Sequence, residues 1–216
     1  FLVGSDDTET LRSVKRQQFV YPDVHVEFTA IRDAMNVYAE ATGGTRLNTY
    51  SGIVSRNHFA DVHFLAGNLL DSEVERLRAV LGLKGRIGSR FSYDLSGGYA
   101  GYANSIFDAI AVLPDSRILP AIGYATAQKA FVELDWLLDT ERFRFDGNVV
   151  FAHYWGFEDA LGIFAPASVT GNTSMEYNIR KRIYIGLDCA FASRRRMVEV
   201  FEGLSAVSIP AYADLG

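Results

Sequence analysis

From about Val24 onward the chain is a succession of long stretches in which apolar and polar side chains alternate strictly, joined by connections that go short, long, short, long. Alternation with period two sends successive side chains to opposite faces of a strand, so each face of the resulting sheet meets a different environment. Few folds accept such a text.

The phases are set by particular residues. In 76–87, Leu77, Ala79, Leu81, Leu83 and Ile87 oppose Arg76, Arg78, Lys84 and Arg86; in 143–155, Phe143, Phe145, Val149, Phe151 and Trp155 oppose Arg144, Asp146, Asn148 and Tyr154. In 169–179, Val169, Met175, Tyr177 and Ile179 oppose Thr170, Asn172, Ser174, Glu176 and Asn178, and in 183–191 Ile183, Ile185, Leu187, Cys189 and Phe191 form one face. Strands are also predicted over 24–30, 35–42, 91–102 and 124–138, the last with Val132, Leu134, Trp136 and Leu138 outward and Lys129, Glu133 and Asp135 inward.

Tight turns are expected near 31–33, 88–90, 139–141 and 180–182, and long links at 43–74, 103–122, 156–168 and 194–210. Short turns on one rim and long loops on the other, with strands of about 9 to 11 residues or more, are the grammar of an outer-membrane β-barrel with short periplasmic turns and long extracellular loops. Strands of soluble proteins usually run about 5 to 6 residues, which disfavours a soluble sandwich. The fold class is therefore all-β, an antiparallel meander forming part of a transmembrane barrel.

Composition is compatible with that reading. Hydrophobic residues make up 49% and mean hydropathy is near zero, because a barrel hides its apolar residues by alternation rather than in a continuous run. The 15 Phe and 11 Tyr supply rings for interfacial girdles, with Phe91, Tyr93, Tyr102, Tyr124, Trp136, Tyr154, Trp155, Phe157, Tyr177 and Tyr184 near strand ends. A net charge of -5 with no basic stripe argues against a nucleic-acid partner. Arg194–Arg196 reads as a solvated loop base, with anionic lipid headgroups as the alternative. Cys189 is the one cysteine, on the outward phase, so no disulfide framework exists.

Eight full strands are expected, with part of one before them and the start of another at the end. An open sheet cannot stand in lipid with its edge backbone groups unpaired, so residues 1–216 are expected to be one partial barrel domain, a fragment of a larger barrel, with no plug domain. Residues 1–18 are polar and carry no export signal, which is expected to lie upstream.

The ending Ile209-Pro210-Ala211-Tyr212-Ala213-Asp214-Leu215-Gly216 resembles the Pro-x-x-x-Asp-Leu-Gly lead-in to a late strand of TonB-dependent outer-membrane receptors. The stretches Arg46-Leu47-Asn48-Thr49-Tyr50-Ser51 and Arg56-Asn57-His58-Phe59 resemble a loop of such barrels. The resemblance implies the C-terminal part of a 22-stranded barrel that encloses a plug, sits in the outer membrane of a Gram-negative cell, works with a TonB-type energy-coupling protein and takes up a nutrient or large solute. No plug and no TonB-box segment are legible in these residues. The alternatives are a structural barrel subunit of an outer-membrane complex and, less favoured, a barrel enzyme with His153 at its rim.

Candidate functional residues follow from position. Tyr50, Asn57, His58 and Phe59, in the first long link, mix aromatic and polar groups as recognition loops do. His58, Asp61 and His63 have spacing too loose to predict a metal centre, and no metal or cofactor is expected. Arg78, Lys84, Asp94, Asp135, Arg144, Asp146 and Glu176 are expected to face the lumen. Simple hairpin register sets Lys84 beside Asp94 and Asp135 beside Arg144, as a ladder that pins register or, less favoured, a solute track.

Overall fold

Alternation makes the strands and turn chemistry pairs them. The computed structural model describes residues 20–32, 34–56, 71–112, 118–157, 162–179, 182–197 and 208–216. Eight long strands run β1 (Asp23–Ile31), β2 (Met35–Leu47), β3 (Ser72–Ile87), β4 (Phe91–Val112), β5 (Ile118–Asp139), β6 (Phe143–Trp155), β7 (Val169–Ile179) and β8 (Ile183–Ala192). A helix, α1 (Tyr50–Arg56), stands between β2 and β3; β9 (Arg195–Arg196), β10 (Ser208–Ile209) and β11 (Tyr212–Leu215) follow β8. The main sheet has nine strands in the order β1-β2-β3-β4-β5-β6-β7-β8-β11, every neighbouring pair antiparallel, and it does not close.

The tight turns lie where the sequence sets them. Gly88 opens the β3–β4 turn at φ 65°, a left-handed conformation that glycine adopts without steric cost. Two of the long links also hold, between Trp155 and Val169 and between Ala192 and Tyr212. The expected link at 103–122 is corrected: β4 continues to Val112 and β5 begins at Ile118, so the pair forms one hairpin that rises well past its neighbours. Its alternation is disguised by a register shift between Tyr102 and Ser105, which inverts the phase of β4 from there on.

Register rows run straight across the sheet. One apolar row joins Leu81, Gly97, Val132, Phe151 and Val169, and the next joins Leu83, Leu95, Leu134, Val149, Gly171 and Phe191. This face is uncovered: Leu81 is 69% exposed and Ile185 57%. Rings border it at both ends, with Phe91 beside Tyr93 and Trp136 beside Phe145 near the short turns, and Trp155 between Tyr99 and His153 near the long links. Four of the expected girdle rings lie elsewhere, among them Tyr184, which stands opposite Asn178 on the polar face. Phe157 is buried at 6%, and Tyr102 and Tyr154 share the opposite face and pack beside it.

Glycine and aromatic residues are paired across strands. Tyr38 covers its partner Gly82, Trp136 covers Gly147 and Phe191 covers Gly171. A ring laid over a bare backbone restores the contact that glycine lacks and holds the strand in register.

Above the sheet, the tall hairpin is clasped on both sides. On the apolar phase, Ile53 of α1 is 3% exposed and packs with Ile106, Ile122 and Tyr124. Thr49 begins the helix by accepting the Gly52 N–H through its side chain. On the other phase Phe107, 1% exposed, packs with Phe157 and Ile163 over Ala109, Ala121 and Ala127. The small residues on β4 and β5 leave room for the ring and the isoleucine.

Candidate functional site

All seven charged residues expected on one face share it. Lys84, Asp94, Asp135 and Asn148 form one register row, and on the same phase Arg78 lies opposite Ala100, Asp146 opposite Ser174 and Arg144 opposite Glu176. Their partners differ in part from expectation. Lys84 stands opposite Asp94, yet its ion pair at 2.7 Å is with Glu27 of β1, while Asp94 accepts a hydrogen bond from the Tyr38 hydroxyl at 2.8 Å. Asp135 does not meet Arg144: the hairpin closes further along the chain than simple register assumes, at Asp139 opposite Arg144, so Asp135 opposes Asn148, four residues on. The Asn148 amide donates to both Glu133 and Asp135 at 2.8 Å, and Arg144 pairs with Asp146 at 2.9 Å on its own strand.

The lower part of this face encloses a concavity of about 1200 Å³ lined by Asn36, Lys84, Arg86, Asp94, Asp135, Asp146, Asn148 and Asn172 among others. Three carboxylates, three amides and the three cations Arg32, Lys84 and Arg86 make it polar and of mixed charge. His25 adds to the same face, between Glu40 at 2.9 Å and Glu27 at 3.4 Å. This histidine and Tyr38 carry no sequence signal beyond their phase, and only strand pairing shows that they join the network.

The long links are sewn together rather than splayed. Ile163 bridges Ala109 along the edge of β4 left open where β3 ends, Phe164 bridges Met197, and β9 pairs with β10. Arg195 locks the seam through an ion pair to Asp108 at 2.6 Å and a hydrogen bond to the Ala165 carbonyl, while Arg194 donates to Ser208. Arg194 and Arg195 are thus structural ties and not a solvated loop base; the sequence shows the charges but not their distant partner, 87 residues away. Replacing Arg195 by Met is expected to speed trypsin cleavage after Arg194 and Arg196, because a charge-assisted bond worth about 1.5 to 3 kcal/mol is lost from the seam. Limited digestion of the folded protein checks it.

The first link is anchored at both ends. Asn48 donates to the Asp71 carbonyl, Asn104 to the Asp71 carboxylate, and Arg46 and Ser105 both reach Glu73. Tyr124 donates to the same Asp71 carbonyl. Tyr50 is exposed in the first turn of α1. Asn57, His58 and Phe59, with Asp61 and His63, lie outside the described residues. Among the described residues no group of His, Cys, Asp and Glu is arranged to hold a metal ion, and no helix is long and apolar enough to cross a membrane.

No protein-family model matches the sequence, and no curated protein does. Solved structures do match the fold. The ferric preacinetobactin receptor BauA from Acinetobacter baumannii is similar with a TM-score of 0.55 and 16% identity over 90% of this chain. The copper transporter OprC follows with a TM-score of 0.54 and 12% identity over 88%, and the ferric enterobactin receptor PfeA from Pseudomonas aeruginosa with 0.57 and 10% over 89%. This chain spans 28%, 29% and 31% of those chains respectively, under a third of each. By fold, it is part of a barrel of the kind built by TonB-dependent outer-membrane receptors.

Proposed function

We propose that residues 1–216 are part of the barrel of an outer-membrane receptor that takes up a nutrient or large solute, embedded in outer-membrane lipid of a Gram-negative cell. The observation that carries the reading is the contrast between the faces: an uncovered apolar row at Leu81, Val132 and Phe151, and behind it the Glu27–Lys84 and Asn148–Asp135 contacts. An apolar face exposed over nine strands is stable against lipid tails, and a face of paired charges is stable against water or a polar filling. The polar face is therefore the lumen, and Arg78, Lys84, Asp94, Asp135, Arg144, Asp146 and Glu176 line it. The free edges at β1 and β11 then pair with further strands of the full-length barrel.

The likeness to receptors and a transporter favours uptake over enzyme chemistry, and His153, stacked on Trp155 on the lipid side, sits where an interfacial ring belongs. In this reading the long links face outward from the cell, where Tyr50 and the Asn57–Phe59 stretch meet solute, and a TonB-type protein energises the other side. One observation favours a second reading, a barrel that acts as a structural subunit: the rim segments are tied to each other by the Asp108–Arg195 pair.

The test is the gel mobility of the full-length protein taken from outer-membrane fractions in mild detergent. A compact band that shifts on boiling is expected. A soluble protein without a shift overturns the barrel, and a shifting barrel whose deletion leaves uptake of every solute unchanged favours the structural subunit.

A further inference from the structure

We propose that Arg78 and Lys129 together dock an anionic group, carboxylate or phosphate, of a solute in the lumen. This rests on the reading of the polar face as lumen.

Arg78 of β3 and Lys129 of β5 flank Ala100 in one register row, and Ala100 is 1% exposed beneath them. Both cations converge on a single ring. The Arg78 guanidinium lies 5.2 Å from the centre of Phe131 and the Lys129 ammonium 4.6 Å, with the Tyr154 ring a further wall at 5.7 Å from the ammonium.

Of the other cations on this face, Lys84 has Glu27, Arg144 has Asp146 and Arg46 has Glu73, while Arg86, beside the short turn, has no ion pair among the described residues. Among the described residues neither Arg78 nor Lys129 has an ion pair. A ring face attracts a cation without cancelling its charge, so two neighbouring cations over one ring still repel each other. An anion set between them satisfies both through charge-assisted hydrogen bonds.

The surroundings sharpen the position. Towards the short turns the same wall carries both signs, Glu133, Asp135 and Asp94 with Lys84 and Arg86, whereas Arg78 and Lys129 stand as two neighbouring cations. Towards the long links Glu75, in register with Tyr102, comes first, and beyond it Phe107, Phe157 and Ile163 form an apolar boundary. A small multivalent anion can bond both cations at once, which a neutral solute cannot do with the same strength.

The experiment uses the full-length protein folded in detergent, its barrel verified by the heat shift, and titrates citrate and tripolyphosphate with raffinose as the neutral control. Saturable binding of at least one anion is expected, indifferent to raffinose and weakened by added salt. Arg78→Gln and Lys129→Gln should each weaken it about tenfold, the loss of one charge-assisted bond, and the double variant should abolish it; citrate against tripolyphosphate tells which anion class is preferred. If the verified barrel binds neither anion, or the double variant binds like the parent, the proposal is overturned while the barrel reading stands. A double variant that binds unchanged but melts earlier shows that acidic groups elsewhere in the protein already neutralise the pair, which also overturns it. Failure of the heat shift in the parent instead removes the barrel reading itself.

Discussion

Arginine at Leu81 or Ile185 is expected to prevent assembly, whereas arginine at Asn148 or Ser174 is expected to be tolerated. Leu81 and Ile185 lie on the uncovered apolar face, 69% and 57% exposed, and their neighbours in register are Gly97 and Tyr177. In water such exposure makes a charge nearly free. In lipid the same substitution costs about 2 to 4 kcal/mol near the midplane, with less towards the interfaces. Asn148 and Ser174 share the other face, where an arginine introduced at position 148 would meet Glu133 and Asp135, the two carboxylates that the asparagine now serves. Folding yield into vesicles, read from the heat-shifted band, separates the two sets. Equal yields for all four variants would overturn the assignment of faces.

The second large effect is expected at the rim. Phe107→Ala removes a ring 1% exposed that packs on Phe157 at 5.2 Å between ring centres and is the largest side chain buried so completely among the described residues. Truncating a buried phenylalanine costs about 3 to 5 kcal/mol. Because the ring joins the tall hairpin to a neighbouring link, and not to the body of the sheet, the loss falls on the seam. The Ile110 and Phe164 amides, bonded to Gly162 and Asp108, should exchange about a hundredfold faster or more. Amides of the row through Leu83 and Leu134 should keep their protection, and the heat shift should persist. Unchanged exchange at Ile110 would mean that the seam stands without its core.

The two predictions divide along the line between what sequence carries and what it does not. Strand existence, phase and turn position were legible because period-two alternation is local: Leu77 to Ile87 or Ile183 to Phe191 declare their face from neighbours two residues away. The alternation failed to mark the strands where the environment changed. Beyond Tyr102 both phases of β4 and β5 are packed, one by α1 and the other by Phe157 and Ile163, so Ile106 and Phe107 are apolar in succession, as are Ala109 and Ile110 after Asp108, and no alternation marks the strand. A bulge that inverts the phase removes what signal remained.

Partners within the polar face were legible only as far as turn length was known. Lys84 opposite Asp94 follows from the Gly88–Arg90 turn, but closure of the β5–β6 hairpin at Asp139 and Arg144 moves the partner of Asp135 four residues, from Arg144 to Asn148, since in a hairpin every cross-strand pair shifts with the turn. Bonds that skip strands were not legible at all. Glu27 to Lys84 crosses β2, and Asp108 to Arg195 joins residues whose separation in the chain carries no local trace.

What the sequence determined by itself is thus a two-faced antiparallel sheet with short turns at one end, because side-chain alternation and turn residues act over a few positions. What only the tertiary structure decided is which charges are neutralised and which are left to attract an anion, and that the long links are stitched into a seam. Those outcomes depend on distances between strands remote in sequence, which no local pattern encodes.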